Sequence, residues 1–259
     1  NSFSQFQYYK MINQRLISLL FVLFFVNNVF AQDIYKSQKD IINLPDGLST
    51  IVDNKNKKAI IAIHGYYPPY WMRIHHEWVR PFNTLVEKNY RTFFYKYDWN
   101  RCPSDVGKEF AIIITNLISE NPDVEEWDII GHSMGGIVTM FANKSFIPNN
   151  IVQFNIIATP LYIDTDKVPW SSKNYYEKKF DRCPENLNSF SNEFDNGFPN
   201  PLMRWQNIKE FDSQFKKYDF NPYDREIKDS VIFQFPDSLN NERVGHTASL
   251  YFSILEIIR

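Results

Sequence analysis

The sequence predicts an α/β fold with a mostly parallel central sheet, and two features of the chain indicate it. Apolar, β-branched runs without polar alternation are typical of strands buried in parallel sheets, and segments of helical character separate these runs. A glycine-rich hexapeptide joins one of the runs directly to a predicted helix. The predicted buried strands are residues 58–63, 91–97, 127–130 and 151–158.

The other elements follow from local signals in the chain. A predicted strand at 48–52 precedes a turn-forming stretch rich in Asn and Lys. Ser104 is a suitable N-cap for a helix that Asn121 and Pro122 would end. A further helix is predicted between the first two buried strands, and a strand, a loop and a helix are predicted at the end of the chain. The first of these helices is predicted at 78–88, and the final strand, loop and helix are predicted at 229–235, 236–244 and 250–258.

The hexapeptide at 131–136 reads Gly-His-Ser-Met-Gly-Gly and lies between a predicted strand and a predicted helix. This is the strand–turn–helix pattern of a nucleophile elbow. Glycine on either side of Ser133 removes the side-chain clash that such a tight turn would otherwise cause. The turn would expose the Ser133 hydroxyl as a nucleophile, and the backbone N–H of Met134 would donate to a developing oxyanion. The alternative is a glycine-rich turn without chemistry.

A serine hydroxyl needs a base within hydrogen-bonding reach, and His246 is the candidate among five histidines. It follows the last predicted strand and precedes the C-terminal helix, whereas His132 lies inside the elbow and is expected to point away from the reaction. The alternative for His246 is a capping histidine. The backbone N–H of Tyr66, in the His64-Gly65-Tyr66 segment, is the candidate second oxyanion donor, and a simple apolar turn is the alternative there.

The base requires a carboxylate that fixes its tautomer, and no strand that carries this acid can be recognised from the pattern. We favour Asp164, because the strand before it is expected to neighbour the last strand of the sheet. A serine–histidine dyad without an acid also stays open. The full set of candidate acids is Asp164, Asp166, Asp212, Asp219, Asp237 and Glu242.

Residues 1–31 are predicted to be a secretory signal peptide with residues upstream of it. Lys10 and Arg15 precede an apolar run, and small residues stand one and three positions before a cut after Ala31. Residues 32–259 would then form one domain that is secreted or periplasmic, without stable membrane insertion after cleavage. An uncleaved anchor is the alternative, but the apolar run is short and contains two asparagines.

Residues 161–228 interrupt the strand–helix rhythm and are rich in aromatic residues. A structureless connection of this length is unusual in a compact domain, so we interpret the segment as an insertion that forms a cap or lid. A decorative subdomain with its own small core is the alternative. Cys102 and Cys183 are the two cysteines, and in a secreted chain a disulfide is favoured over free thiols. It would tie the insertion to the loop after the strand 91–97.

Composition excludes some classes of partner. The formal net charge is −2, which gives no electrostatic basis for binding nucleic acid. Aromatic residues make up 17% of the chain, which suits an apolar binding surface. The His75-His76-Glu77 segment is rejected as a metal site, because adjacent histidines on one loop rarely face the same ion and no spaced partner appears. No cofactor is expected, and the sequence does not indicate an oligomeric state.

These motifs resemble the α/β-hydrolase superfamily, and most closely its lipase-like and esterase-like branch with a Gly-His-Ser-Met-Gly-Gly elbow. The resemblance is carried by residues 64–65, 131–136, 158–161 and 245–246. It implies an α/β-hydrolase fold, Ser133 as nucleophile, His246 as base, and the amides of Met134 and Tyr66 as the oxyanion hole. The expected function is a secreted serine hydrolase acting on small-molecule or lipid esters. The alternatives are an inactive scaffold that binds an apolar ligand or a protein, and an acyltransferase.

Overall fold

Seven strands of the computed structural model form one sheet that is parallel except at one edge. The sheet order is β1-β3-β2-β4-β5-β6-β7, and only β1 runs antiparallel to its neighbour. The strands are β1 Gly47–Val52, β2 Lys58–Ile63, β3 Arg91–Lys96, β4 Glu126–His132, β5 Val152–Ile157, β6 Leu202–Gln206 and β7 Ser230–Gln234. A small hairpin of β8 Ser238–Leu239 and β9 Glu242–Arg243 occupies the predicted loop 236–244.

The structure describes residues 40–41, 43–66, 77–164, 166–168, 173, 183 and 194–259. Several predictions lie outside these residues: the signal peptide at 1–31, the two histidines His75 and His76, and most of the aromatic stretch between 169 and 193. The lid prediction for 161–228 therefore stays a prediction.

In the part of the chain that the structure describes, four helices flank the sheet and pack in two pairs, α1 with α4 and α2 with α3. They are α1 Val79–Glu87, α2 Pro103–Glu120, α3 Met134–Ser145 and α4 His246–Ile257, and a short 3₁₀ helix spans Lys209–Phe211. The C-terminal helix thus begins four residues earlier than predicted, at His246. Since the helical start coincides with the candidate base, the orientation of this helix fixes where that histidine lies.

The central strands are buried on both faces, as their continuous apolar runs predict. In β2, residues 59–63 are all completely buried. Neighbouring β4 buries Ile129 and Ile130 completely, and β5 does the same with Phe154 and Ile157. This packing makes the carboxyl ends of β2 and β4 a rigid base for the loops that follow them.

Strand β6 lies inside the range predicted as an insertion, and it is a core strand between β5 and β7. Its sequence contains Arg204, a residue type that is almost never fully buried unless it is paired. Here Arg204 is 2% exposed, and its guanidinium donates to the carbonyl of Tyr223 at 3.2 Å and to the hydroxyl of Ser230 at 3.3 Å. The range 161–228 therefore combines part of the sheet with the predicted insertion.

The predicted disulfide is formed between Cys102 and Cys183, whose Cα atoms lie 5.4 Å apart. Cys102 is the N-cap of α2, so the bond connects Cys183 to the loop after β3. Among the described residues no helix is both long and apolar enough to cross a membrane. No group of three or more potential metal ligands occurs within that same part of the chain.

Candidate active site

Ser133 stands between β4 and α3 in a backbone conformation that few residues adopt. Its φ of 54° and ψ of −124° lie outside the broadly allowed regions. The flanking glycines permit this turn, because a Cβ on Gly131 would lie 2.5 Å from the carbonyl oxygen of Gly135. Strain of this kind is typical of functional sites. The chain therefore has the strand, the tight turn at Ser133 and the helix that the elbow pattern requires.

The loop after β2 packs directly against the elbow. A Cβ added to Gly65 would lie 3.1 Å from Cβ of Ser133 and 2.9 Å from the carbonyl oxygen of His132. Only glycine allows this close approach. The loop that carries the Tyr66 amide is thus held beside the candidate nucleophile.

His64 fixes the orientation of the peptide that carries the Tyr66 amide. Its Nδ1 lies 2.7 Å from the Gly65 carbonyl oxygen, and its Nε2 lies 3.1 Å from the backbone nitrogen of Tyr97. Complete burial lowers the pKa of His64 to about 4, so the ring is neutral, with Nδ1–H donating to Gly65 and Nε2 accepting from Tyr97. Because the Gly65 carbonyl is held by His64, the N–H of Tyr66 points to the opposite side of that peptide.

The second candidate oxyanion donor is the backbone N–H of Met134, the first residue of α3. The first N–H groups of a helix have no partner inside the helix, and the helix dipole favours negative charge at this end. Met134 follows Ser133 directly, and Tyr66 follows Gly65, which approaches Ser133 closely, so both amides stay candidates for the oxyanion hole.

His246 is the first residue of α4 and is 6% exposed. Its Nδ1 lies 2.9 Å from Oδ2 of Asp212. The ring of Phe215 packs edge-on against the imidazole, with 5.6 Å between centroids. The ring of His132, the residue before Ser133, lies 4.7 Å away. The candidate base is thus packed beside the elbow and bonded to a carboxylate.

Asp212 follows β6 and is completely buried. Besides His246, its carboxylate accepts hydrogen bonds from the Asn207 amide at 2.9 Å, the Gln214 backbone N–H at 2.8 Å and the Tyr223 hydroxyl. Burial alone would raise the pKa of Asp212, but the charge of His246 and these hydrogen bonds hold it well below its usual range. The carboxylate is therefore ionised and fixed in place.

The carboxylate that is hydrogen-bonded to His246 is that of Asp212, whereas the favoured candidate acid, Asp164, has other partners. Asp164 forms an ion pair with Lys167 at 3.2 Å and accepts a hydrogen bond from the backbone N–H of Asp166 at 3.1 Å. The strand before Asp164 is not adjacent to the last strand, because β6 lies between them. Another candidate, Glu242, forms a half-exposed ion pair with Arg80 at 2.7 Å.

The expectation that His132 points away from the reaction stays a prediction, and Nε2 of His132 lies 2.8 Å from the backbone carbonyl oxygen of His246. The Nδ1 atom of the same ring is hydrogen-bonded to the carboxylate of Glu77. The sequence draws attention to Glu77 only through the His75-His76-Glu77 segment, which it does not support as a metal site. Asn207 and Tyr223, which hold Asp212, carried no sequence signal at all.

Comparisons with known proteins show a shared fold at low sequence identity. The family model described as PGAP1-like alpha/beta domain matches residues 108–199, which is less than half of the chain. Among solved structures, the mature form of the lipase BlEst2 from Bacillus licheniformis is 11% identical, with a TM-score of 0.51 over 83% of this chain and 97% of that one.

Two further structures give similar values. Esterase B from Lactobacillus rhamnosis, solved with a tributyrin phosphonate inhibitor, is 13% identical, with a TM-score of 0.49 over 80% of this chain and 76% of that one. The propeptide form of BlEst2 is 13% identical, with a TM-score of 0.46 over 63% of this chain. The present chain spans 39% of the length of that propeptide form. A search of curated proteins found no match.

Proposed function

The chain has the α/β-hydrolase fold that its sequence predicts, and we propose that it is a serine hydrolase that cleaves carboxylic esters. One observation carries the proposal: the buried Asp212 is bonded to Nδ1 of His246 at 2.9 Å, next to a serine held at a nucleophile elbow. Three groups of this kind have the roles of acid, base and nucleophile in unrelated hydrolases.

In the acylation step, Oγ of Ser133 attacks the carbonyl carbon of the ester while Nε2 of His246 accepts the hydroxyl proton. Asp212 holds Nδ1–H of His246, so that Nε2 is the free basic nitrogen, and its charge stabilises the imidazolium that forms. The negative charge on the former carbonyl oxygen is placed at the amides of Met134 and Tyr66. His246 then returns its proton to the leaving alcohol.

In the second step, water replaces the alcohol. His246 removes a proton from the water, which attacks the acyl carbon, and the same imidazole protonates Ser133 as the acid is released. An acyltransferase would follow the same path with an alcohol in place of water. Hydrolysis is the simpler proposal, since it requires no second organic substrate.

The aromatic residues beside His246 support an apolar acyl group. Phe215 packs against the His246 ring. The ring centroid of Tyr218 lies 5.7 Å from that of Phe215 and 5.3 Å from that of Phe220. Tyr162, from the loop after β5, adds a fourth ring 5.4 Å from Phe220. Aromatic side chains of this kind are common in the lining of ligand sites.

The rival proposal is an inactive scaffold that binds an apolar ligand or a protein. Its main support was that no acid could be recognised, and the hydrogen bond between Asp212 and His246 removes that support. The ion pair of Asp164 with Lys167 gives the scaffold proposal no support, because Asp212 is the carboxylate bonded to His246.

Hydrolysis of short p-nitrophenyl esters by the purified protein tests the proposal. We expect turnover that disappears in Ser133→Ala and falls strongly in His246→Ala, since both side chains act directly on the reacting atoms. A folded wild-type protein without turnover on a series of acyl chain lengths would favour the scaffold. We also propose secretion with cleavage near Ala31, which N-terminal sequencing of the exported protein would test.

A further inference from the structure

Next to the proposed triad, the side chains of Glu77 and His132 form a second pair that contacts the backbone of His246 and of Gly65. Glu77 lies two residues before the first residue of α1, and its side chain is 12% exposed, whereas that of His132 is 1% exposed. We propose that Glu77 and His132 are positioning residues that hold the backbone of His246 and the oxyanion loop in register with Ser133. This inference rests on the proposed hydrolase function and assigns two further residues to it.

The hydrogen-bonding chemistry fixes the protons of this pair. The carbonyl of His246 can only accept, so Nε2 of His132 must carry a proton to donate to it at 2.8 Å. The carboxylate of Glu77 also accepts, and it faces Nδ1 of the same ring. Both ring nitrogens therefore donate, and the pair is a buried imidazolium and carboxylate.

The electrostatics agree with this assignment. Burial lowers the pKa of His132, but the adjacent Glu77 carboxylate and the two hydrogen bonds outweigh it, and the pKa is raised overall. For Glu77, burial raises the pKa, and the charge and hydrogen bond of His132 lower it by more. Breaking a buried pair of this kind leaves an uncompensated charge, so the two side chains keep each other in place.

The pair reaches three of the segments that form the site. His132 belongs to the elbow itself and reaches the first carbonyl of α4. The Glu77 carboxylate lies 3.4 Å from the backbone nitrogen of Gly65, in the loop of the second oxyanion amide. Asp212 holds the imidazole of His246 by its side chain, whereas His132 holds the same residue by its backbone. Asp212 and His132 together therefore hold the imidazole and the backbone carbonyl of His246.

Two substitutions at position 132 separate the two hydrogen bonds of the ring. In His132→Gln the side-chain amide can take the place of Nε2 and still donate to the His246 carbonyl. In His132→Asn the shorter amide takes the place of Nδ1, keeps the bond to Glu77 and loses the one to His246. Both variants are neutral and similar in size, so packing and charge are matched.

We expect kcat on p-nitrophenyl butyrate to fall about 10- to 100-fold in His132→Asn, with KM changed less than about threefold, since small displacements of catalytic groups have effects of this size. In His132→Gln kcat should fall less than in His132→Asn, because the Gln amide keeps the bond to the His246 carbonyl and loses only the bond to Glu77. Equal kcat in the two variants, with thermal unfolding midpoints that match, would overturn the inference.

Nitrogen NMR of histidine-labelled protein gives a readout that does not require activity. We expect both ring nitrogens of His132 to be protonated at neutral pH in the wild type, and only one in Glu77→Gln, with the His246 ring signals displaced in that variant. His246 signals that are identical in the wild type and Glu77→Gln would overturn the inference, whether or not the variants fold with equal stability. If the wild type has no esterase activity but shows these NMR changes, the proposed function fails and the positioning of His246 stands.

Discussion

Oδ2 of Asp212 lies 2.9 Å from Nδ1 of His246. In the sequence, Asp212 precedes β7 and His246 follows it. Asp212 follows β6, and His246 begins the helix after the last strands. Because β6 and β7 are neighbours in the sheet, their following segments meet at one edge. The sheet topology therefore brings together a carboxylate and an imidazole that are 34 residues apart.

Replacing Asp212 by Asn should abolish most of the activity while keeping the protein folded. The asparagine amide can hold the wrong tautomer of His246 and cannot stabilise its imidazolium, so we expect kcat to fall roughly 10³- to 10⁴-fold. Asp164→Asn is the matched control, since its carboxylate pairs with Lys167, and its kcat should equal that of the wild type. Activity lost in Asp164→Asn but kept in Asp212→Asn would reverse the assignment of the acid.

The oxyanion role of the Tyr66 amide can be tested by removing only its hydrogen. Tyr66→Pro lacks the backbone N–H, and we expect kcat to fall about 10²- to 10³-fold, as for other oxyanion donors. Tyr66→Ala keeps the N–H and removes the side chain, including its contact with Trp99, so its kcat should fall much less. Circular dichroism of both variants checks that they are folded. Similar kcat values in the two variants would contradict the role of the amide.

The buried, neutral His64 should make the protein less stable in mild acid. Its pKa is lowered to about 4 by burial, whereas the unfolded chain takes up this proton near pH ~6.5. Between these values the unfolded state binds more protons, so stability is lost as the pH falls, at up to about 1.4 kcal/mol per pH unit.

Urea unfolding of wild type and His64→Asn at about pH 7 and about pH 4.5 measures this contribution. The wild type should lose more free energy of unfolding between the two conditions than the variant, because asparagine does not titrate. The other ionisable groups are common to both proteins and cancel in the comparison. An equal loss in the two proteins would show that His64 is not the group responsible.

The disulfide should stabilise the fold by restricting the unfolded chain. Cys102 and Cys183 are separated by 81 positions, for which the chain-entropy model gives about 4 kcal/mol. A double Cys→Ser variant should therefore unfold at lower denaturant concentration than the wild type. Reductant should lower the midpoint of the wild type and leave that of the variant unchanged. A variant as stable as the oxidised wild type would contradict the prediction.

Most of the sheet could be predicted from the sequence because its central strands are continuous apolar runs that leave little alternative. Strand β6 could not be recognised, because Arg204 interrupts its apolar character. A buried arginine is tolerated only through its bonds to Tyr223 and Ser230, and those partners follow from the tertiary structure. The missed strand also explains why the neighbour of β7 was assigned incorrectly.

The residues of the candidate site likewise differ in whether local sequence is enough to identify them. Ser133 and His246 can be singled out because local sequence describes their surroundings: glycines around the serine, and a strand, a loop and a helix around the histidine. Asp212 was one of six candidate acids, and only its contacts in the folded chain distinguish it. Glu77 and His132 act through a contact between distant segments, which no local pattern describes.

The most direct test of the central claim is labelling of the folded protein with a fluorophosphonate, followed by identification of the modified residue. The account predicts that Ser133 alone is labelled, that Ser133→Ala abolishes labelling, and that His246→Ala and Asp212→Asn slow it strongly, since the probe reports a serine activated by its base. A folded protein that is not labelled, or one that is labelled equally fast in His246→Ala, would contradict the claim that His246 and Asp212 activate Ser133.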